Sequence, residues 1–228
     1  ILIMYDESSD NSLNLVNQIL LDSRFPFRII NNTGNKSSIG IARNTIIDNY
    51  NGDYLYFLDS DDFLEDNCIS LLISRALKYD AEIVKSSHRF IDENENSLNV
   101  FNYTKEKFID DVFLKENKYV KNNSHPIYSW NKLFSRSFLE KFKMRYKHSF
   151  HEDAFFTFLE VENATRVVLS PQITYNYLVR ENSLTTSETS FEKISVFIDN
   201  YDYVNNYFIS SKSLYSYCCI VDFFMMKY

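Results

Sequence analysis

Residues 1–85 alternate short apolar runs with helically spaced ones, and that alternation restricts the fold more than any other feature of the chain. Ile1–Tyr5, Phe27–Ile30, Tyr54–Leu58 and Ala81–Lys85 are apolar runs bounded by polar or turn-forming residues, and they read as buried strands. Between them Asn11–Leu21 sets Leu13, Val16, Ile19 and Leu20 at helical spacing, and Ile41–Tyr50 and Asp66–Tyr79 are further helices. Strand and helix in strict turn predict an α/β fold: a mostly parallel, doubly wound, Rossmann-like sheet with helices on both faces. Ligands of such sheets lie beyond the carboxyl ends of the strands. The residues to inspect are therefore Asp6 and Glu7, Asn31 and Asn32, Asp59 to Asp62, and Ser86 to His88. The chain opens inside its first strand, so a further strand is expected upstream of Ile1.

Later segments are less regular. A polar connection over 92–123 carries a helix around Phe108–Leu114. A basic stretch follows at Ser137–Lys147, then a helix over Glu152–Val161, strands at Arg166–Leu169 and Tyr175–Arg180, and a periodic helix over Phe191–Phe208. We expect three regions: 1–92, 93–190, and a helical 191–228.

Composition excludes several functions. The formal net charge of -7 disfavours a nucleic-acid binder, which needs a basic face. Cys68, Cys218 and Cys219 have the spacing of neither a disulfide framework nor a zinc site, which suits a reducing, cytoplasmic setting. No apolar run approaches the length of about 20 residues that a membrane helix needs. Lys141, Lys143, Arg145 and Lys147 read first as a solvated helix face. The other reading is a peripheral contact with the anionic inner face of a membrane, or with a lipid-diphosphate acceptor. The aromatic C-terminal stretch Leu214–Tyr228 is read as core, with burial in a homodimer as a further use.

Chemistry concentrates at four places. Asp59-Ser60-Asp61-Asp62 ends the most apolar strand, and three carboxylates in four residues repel unless a cation joins them. A divalent cation such as Mn2+ or Mg2+, reached by alternate residues of the stretch, would answer that repulsion and neutralise a departing phosphate; a solvated acidic turn capping the next helix is the other reading. An EF-hand beginning at Asp59 fails, because Phe63, Leu64 and Ser70 stand where an oxygen ligand, Gly and Glu are required. A haloacid-dehalogenase-type phosphatase with Asp59 as nucleophile is the rival enzyme reading. Phe63 stands where that family has Thr or Val, and the motif follows the third strand instead of the first. Tyr5 to Ser12 offers acidic and hydroxyl groups for a nucleoside or for a helix cap. Arg43, near the start of a helix that opens at a small-residue turn, suits a phosphate or a carboxylate. Glu152 and Asp153 open an apolar helix, either as first-turn acids or with one of them as a general base.

In this order the segments resemble family 2 glycosyltransferases of bacterial cell-surface polysaccharide synthesis, which have the GT-A fold. YDESSDNS at 5–12 resembles the family's DDGSTDNS, and SIGIARN at 38–44 resembles its G-x-x-x-A-R-N. Phe57–Asp62 matches F-L-D-S-D-D, and Trp130–Phe134 matches W-N-K-L-F. Glu152–Phe156 matches E-D-x-x-F, and YLVRENSLT at 177–185 resembles Y-R-x-R-x-x-S-I/L-T. The resemblance implies an inverting transferase that takes a nucleoside-diphosphate sugar, with a lean to uridine, and a glycan or lipid-linked acceptor. It implies that Asp6 recognises the nucleoside, that Asp59 lies near ribose or metal, and that Asp61 binds the metal. Arg180 would close on the diphosphate, Asp153 would be the base, and Trp130 with Asn131, Lys132 and Glu152 would shape the acceptor side. Region 1–92 then binds the nucleotide sugar and 93–190 the acceptor. A non-catalytic module of the same shape is the alternative from another class.

Overall fold

Apolar side chains cover both faces of the central sheet where Ile83, Val84, Leu133, Phe134, Val167, Val168 and Leu169 lie. A computed structural model describes residues 1–32, 38–110, 127–147 and 152–180, together with Asn206. Its elements are β1 (Leu2–Asp6), α1 (Ser12–Leu21), β2 (Arg28–Asn32), α2 (Ile39–Asn49), β3 (Tyr54–Tyr56), β4 (Phe63–Leu64) and α3 (Cys68–Tyr79). There follow β5 (Ile83–Ile91), β6 (Ser97–Phe101), β7 (Lys107–Ile109), β8 (Lys132–Ser135), α4 (Arg136–Lys141), α5 (Glu152–Asn163) and β9 (Val167–Leu178). Adjacent residues of one strand go to opposite faces. Ile83, Phe134, Val167 and Leu169 join one cluster with Phe57, Phe138, Tyr146 and Phe156. Val84, Leu133 and Val168 join the other, under Cys68, Leu72 and Ala76 of α3.

β1 and β2 form a parallel pair of their own. The larger sheet runs β3-β8-β5-β9-β4, with β6 on β5 and β7 on β9. Here the strand directions correct the sequence reading. Among the described residues only β1–β2 and β5–β9 are parallel, and the remaining ladders are antiparallel. The parallel expectation came from the regular first third. The antiparallel partners β6, β7 and β8 come from the irregular middle, where short returns such as the Asp92–Asn96 turn suffice.

Two more corrections concern the middle and end. The helix expected around Phe108–Leu114 is instead strand β7 at Lys107–Ile109, with Phe108 exposed and Ile109 buried at the period of a strand; residues 111–114 lie outside the described residues. The strands expected at Arg166–Leu169 and Tyr175–Arg180 are one strand, β9. Its partner register jumps from Ser170 to Ile173, so Pro171 and Gln172 bulge out of a continuous ladder. Proline lacks the N–H a ladder needs, and a bulge accommodates it. The expected helix over Phe191–Phe208, apart from Asn206, and the stretch Leu214–Tyr228 lie outside the described residues. Among the described residues no helix is long and apolar enough to cross a membrane.

α2 begins two residues earlier than its apolar spacing suggested, because the Ser38 hydroxyl accepts the Ile41 N–H at 3.2 Å and caps the helix. Its second residue is Gly40. A Cβ there would stand 2.3 Å from the Lys147 carbonyl oxygen and 3.4 Å from Glu152 Cβ. The absent side chain lets α2 lie directly against the backbone that leads into α5. Gly40→Ala is expected to destabilise the protein by about 1–3 kcal/mol, since backbone has to move, although Ala in a helix is ordinarily favoured by about 1 kcal/mol. Urea unfolding measures the difference, and a net gain in stability would refute the close contact.

Candidate active site

The acidic turn of Asp59, Ser60, Asp61 and Asp62 lies between β3 and β4, three residues beyond the last paired residue of β3. Each carboxylate has its own partner. Asp62 is buried; it accepts the Tyr175 hydroxyl proton and, at 2.8 Å, the Leu178 N–H. This clasp joins the turn to the end of β9. Asp61 is partly exposed and pairs with Arg180, two residues past β9. Asp59 accepts from Arg43 Nη2 at 3.1 Å.

Arg43 is the hub of the arrangement. It is only 5% exposed. Its Nη1 donates to Glu152 Oε1 at 2.9 Å and to Asp153 Oδ1 at 2.6 Å. A planar guanidinium can address several carboxylates at once, which an ammonium on a single point cannot do as well. The Tyr146 ring lies 5.5 Å from the guanidinium carbon and stacks on Phe156 of α5. Asn44, next to Arg43, holds Tyr146 with its side-chain amide: Nδ2 donates to the Tyr146 carbonyl and Oδ1 accepts the Tyr146 N–H, each at 2.8 Å. α2, the acidic turn and α5 thus converge on one cation. Asp153 Oδ1 also accepts from the Ser129 hydroxyl. Among the described residues, that oxygen thus has two donors, Arg43 and Ser129.

The electrostatics follow from one buried cation among three carboxylates. Burial opposes the Arg43 charge, but Asp153, Asp59 and Glu152 outweigh it and hold its pKa above the ordinary arginine value. Burial raises Asp59 despite Arg43. Burial and then the neighbouring Asp153 push Glu152 up to about 7. Burial pushes Asp62 up to about 6, against the hydrogen bonds from Tyr175 and Leu178. A carboxyl raised on folding binds its proton more tightly in the folded state. Its contribution is complete below the unfolded value and is lost as pH rises through the folded one. Stability should therefore fall between pH 5 and pH 8. Glu152→Gln should remove about 2 kcal/mol of that fall, read by urea unfolding at the two pH values. An unchanged fall in the variant would show that Glu152 is not the group responsible.

Other residues singled out in the sequence lie in different surroundings. Trp130 is 6% exposed and sits in an aromatic stack, 3.6 Å from the Tyr128 ring and 4.7 Å from that of Tyr175. Asn131 is buried with a left-handed φ of 56°. Its side-chain Oδ1 accepts from the hydroxyls of Ser86 and Thr174, and its Nδ2 donates to the Ser86 carbonyl. Lys132 is fully buried on Glu160. Trp130, Asn131 and Lys132 thus build the wall behind Ser129. Asp6 is exposed at the end of β1 and accepts from Asn32 at 2.7 Å. His151, which precedes Glu152, lies outside the described residues. Sequence reasoning passed over Ser129, Tyr146 and Tyr175. The available signal was a hydroxyl or tyrosine beside a motif that was already suspected.

The sequence profile described as glycosyl transferase family 2 matches residues 1–143. The chain is 25% identical over 190 residues to glycosyltransferase GlyA of Streptococcus pneumoniae serotype 4, covering 81% of this chain and 27% of that protein. It is 25% identical over 174 residues to the processive diacylglycerol beta-glycosyltransferase of Mycoplasma pneumoniae, covering 72% and 50%. The chain therefore spans about a quarter to a half of these relatives. The crystal structure of S. aureus TarS 1-349 in complex with UDP-GlcNAc superposes with a TM-score of 0.71 over 87% of this chain and 55% of that one. At 15% identity the likeness is one of fold.

Proposed function

Because the chain belongs to glycosyl transferase family 2, we propose that it moves a sugar from a UDP-sugar to a hydroxyl of a glycan or lipid-linked acceptor, with inversion at the anomeric carbon. The observation that carries this reading is the Arg43 hub. It brings Asp153, 110 residues away in sequence, beside the acidic turn through a single guanidinium. Asp153 Oδ2 takes the proton of the acceptor hydroxyl. The acceptor oxygen forms its bond to the anomeric carbon from one face while the bond to the diphosphate breaks on the other. The nucleoside diphosphate leaves with the bonding pair. Ser129 and Arg43 hold Asp153 through its other oxygen, so the base is oriented before the acceptor arrives. The uridine assignment is supported by the UDP-GlcNAc and UDP complexes of TarS, the fold neighbour.

The residues of the acidic turn fit a divalent metal. Among the described residues no group of three or more His, Cys, Asp and Glu is arranged to cage an ion. Mg2+ and Mn2+, however, suit oxygen donors, and Mg2+ is commonly held by one or two carboxylates together with substrate phosphates. Asp61, the partly exposed carboxylate of the turn, with Asp59 beside it, would supply that part. Bound there, the ion would neutralise charge on the departing diphosphate. Arg180 stands on Asp61 and can turn to the same phosphates. The phosphatase alternative would need Asp59 as a nucleophile, whereas its carboxylate is engaged by the buried Arg43.

Thermal unfolding with UDP and UDP-GlcNAc, with and without Mn2+, tests this reading. Ligand at about 100 times its Kd should add about 2.7 kcal/mol, with the larger shift in the presence of metal. Asp61→Asn should abolish the metal-dependent part. The absence of any shift with UDP at any Mn2+ concentration would overturn the donor assignment.

A further inference from the structure

Lys85, Lys132 and Glu160 form a cluster of buried charges apart from the Arg43 hub. Lys85 on β5 and Lys132 on β8 face each other directly across an antiparallel ladder. They are 1% and 0% exposed. Like charges in directly opposed positions destabilise a sheet, and burying them adds a desolvation cost. Glu160 of α5, 1% exposed, lies over both. Lys85 Nζ reaches its Oε2 at 3.0 Å, and Lys132 Nζ reaches both its oxygens at 3.0 Å. Burial pulls the Lys85 ammonium down to about 7 against the attraction of Glu160. Replacing a buried ion cluster by apolar side chains of similar volume is often neutral or stabilising, so a role beyond stability is worth seeking for the trio.

Its placement points to one. Glu160 stands seven residues after Asp153, two turns along α5 and on the same side of the helix, about 10 Å away. The lysines grip it from two neighbouring strands, so both the depth and the rotation of α5 over the sheet are set. Lys132 also follows the Ser129-Trp130-Asn131 segment whose first residue bonds to Asp153. The short segment from Ser129 to Lys132 thus holds α5 at two points, through Ser129 at its first turn and through Lys132 two turns on.

We infer that Glu160, clamped between Lys85 and Lys132, is a positioning residue for Asp153, fixing the height and rotation at which α5 presents that carboxylate to the acidic turn. The inference rests on Asp153 being the base.

The test replaces the clamp without opening a hole: Lys85→Met, Lys132→Met and Glu160→Met together. Expected is a chain with urea-unfolding stability equal to or above the parent and with UDP affinity, by calorimetry, within about twofold. Amide hydrogen exchange at Phe156 and Thr157, whose N–H groups close the first turn of a regular helix, should be at least about tenfold faster. UDP release from UDP-GlcNAc should fall in kcat and not in KM. Glu160→Asp keeps the charge and shortens its reach by one methylene. It should show the same pattern to a smaller degree, and it serves if the triple variant does not fold. Unchanged exchange at Phe156 and Thr157 in a folded variant would overturn the positioning role. If the parent releases no UDP from any UDP-sugar, the transferase reading fails, and the exchange measurement still decides whether the clamp sets the helix.

Discussion

Asp153→Asn is expected to lower kcat for transfer roughly a hundred- to ten-thousandfold, the span general base catalysis commonly covers, while UDP affinity stays within about twofold. Asn keeps the size of the side chain and an oxygen for the Ser129 and Arg43 donors, so the site should remain assembled. Only the capacity to accept a proton is removed. Steady-state kinetics beside calorimetry separate the two effects. Undiminished kcat would remove Asp153 from the base role. Loss of UDP binding in parallel would mean that the substitution had collapsed the hub instead of the chemistry.

Arg43→Met should have the largest effect on stability, about 3–5 kcal/mol, because it leaves Asp59, Glu152 and Asp153 facing one another without their shared cation. The loss depends on pH, and its sign can be worked out. Without Arg43, Asp59 and Glu152, already raised by burial, lose the cation that holds them down and rise further above their unfolded values. The contribution of those protons is complete in acid and disappears as pH rises. The deficit should therefore be smaller at pH 5 than at pH 8. Arg43→Lys should recover part of it, since one ammonium cannot span the same three acceptors. A loss below about 1 kcal/mol at pH 8 would contradict the hub.

The sequence made the acidic turn legible because three carboxylates at the end of an apolar strand are costly wherever they occur and so advertise a purpose. It made α5 legible because Glu152 and Asp153 precede an apolar helix. It made Arg43 only half legible. Read locally, an arginine at the start of that helix suits a phosphate or a carboxylate, and nothing in the segment shows that the folded chain turns it inward to three acids, two of them more than 100 residues away. Lys132 was misleading for the same reason. A lysine next to Trp130 and Asn131 reads as a polar lining, and nothing in the segment reveals that Lys85 and Glu160 meet it from elsewhere. The fold followed the same division. Helices and strands with regular spacing up to Lys85 were readable. β6 and β7 were not, being short and largely exposed or mixed in burial, and Pro171 split one strand into two apparent ones.

Arg43 also imposes an order of events while the protein is being made. Asp59 is synthesised 16 residues after it, but Glu152 and Asp153 come 109 and 110 residues after. At about 5–20 residues per second the nascent chain carries this arginine for roughly 5–20 s with only one of its acidic partners in existence. A guanidinium in that position cannot be buried at low cost, and α2 cannot settle into its final place. The early strands and helices that leave the ribosome first must wait, with apolar faces open, for a helix that is not yet translated. A chaperone would have its longest opportunity to bind in that interval, and substitutions that slow the docking of α5 would act there, on the yield of soluble protein, before any catalytic defect could be measured.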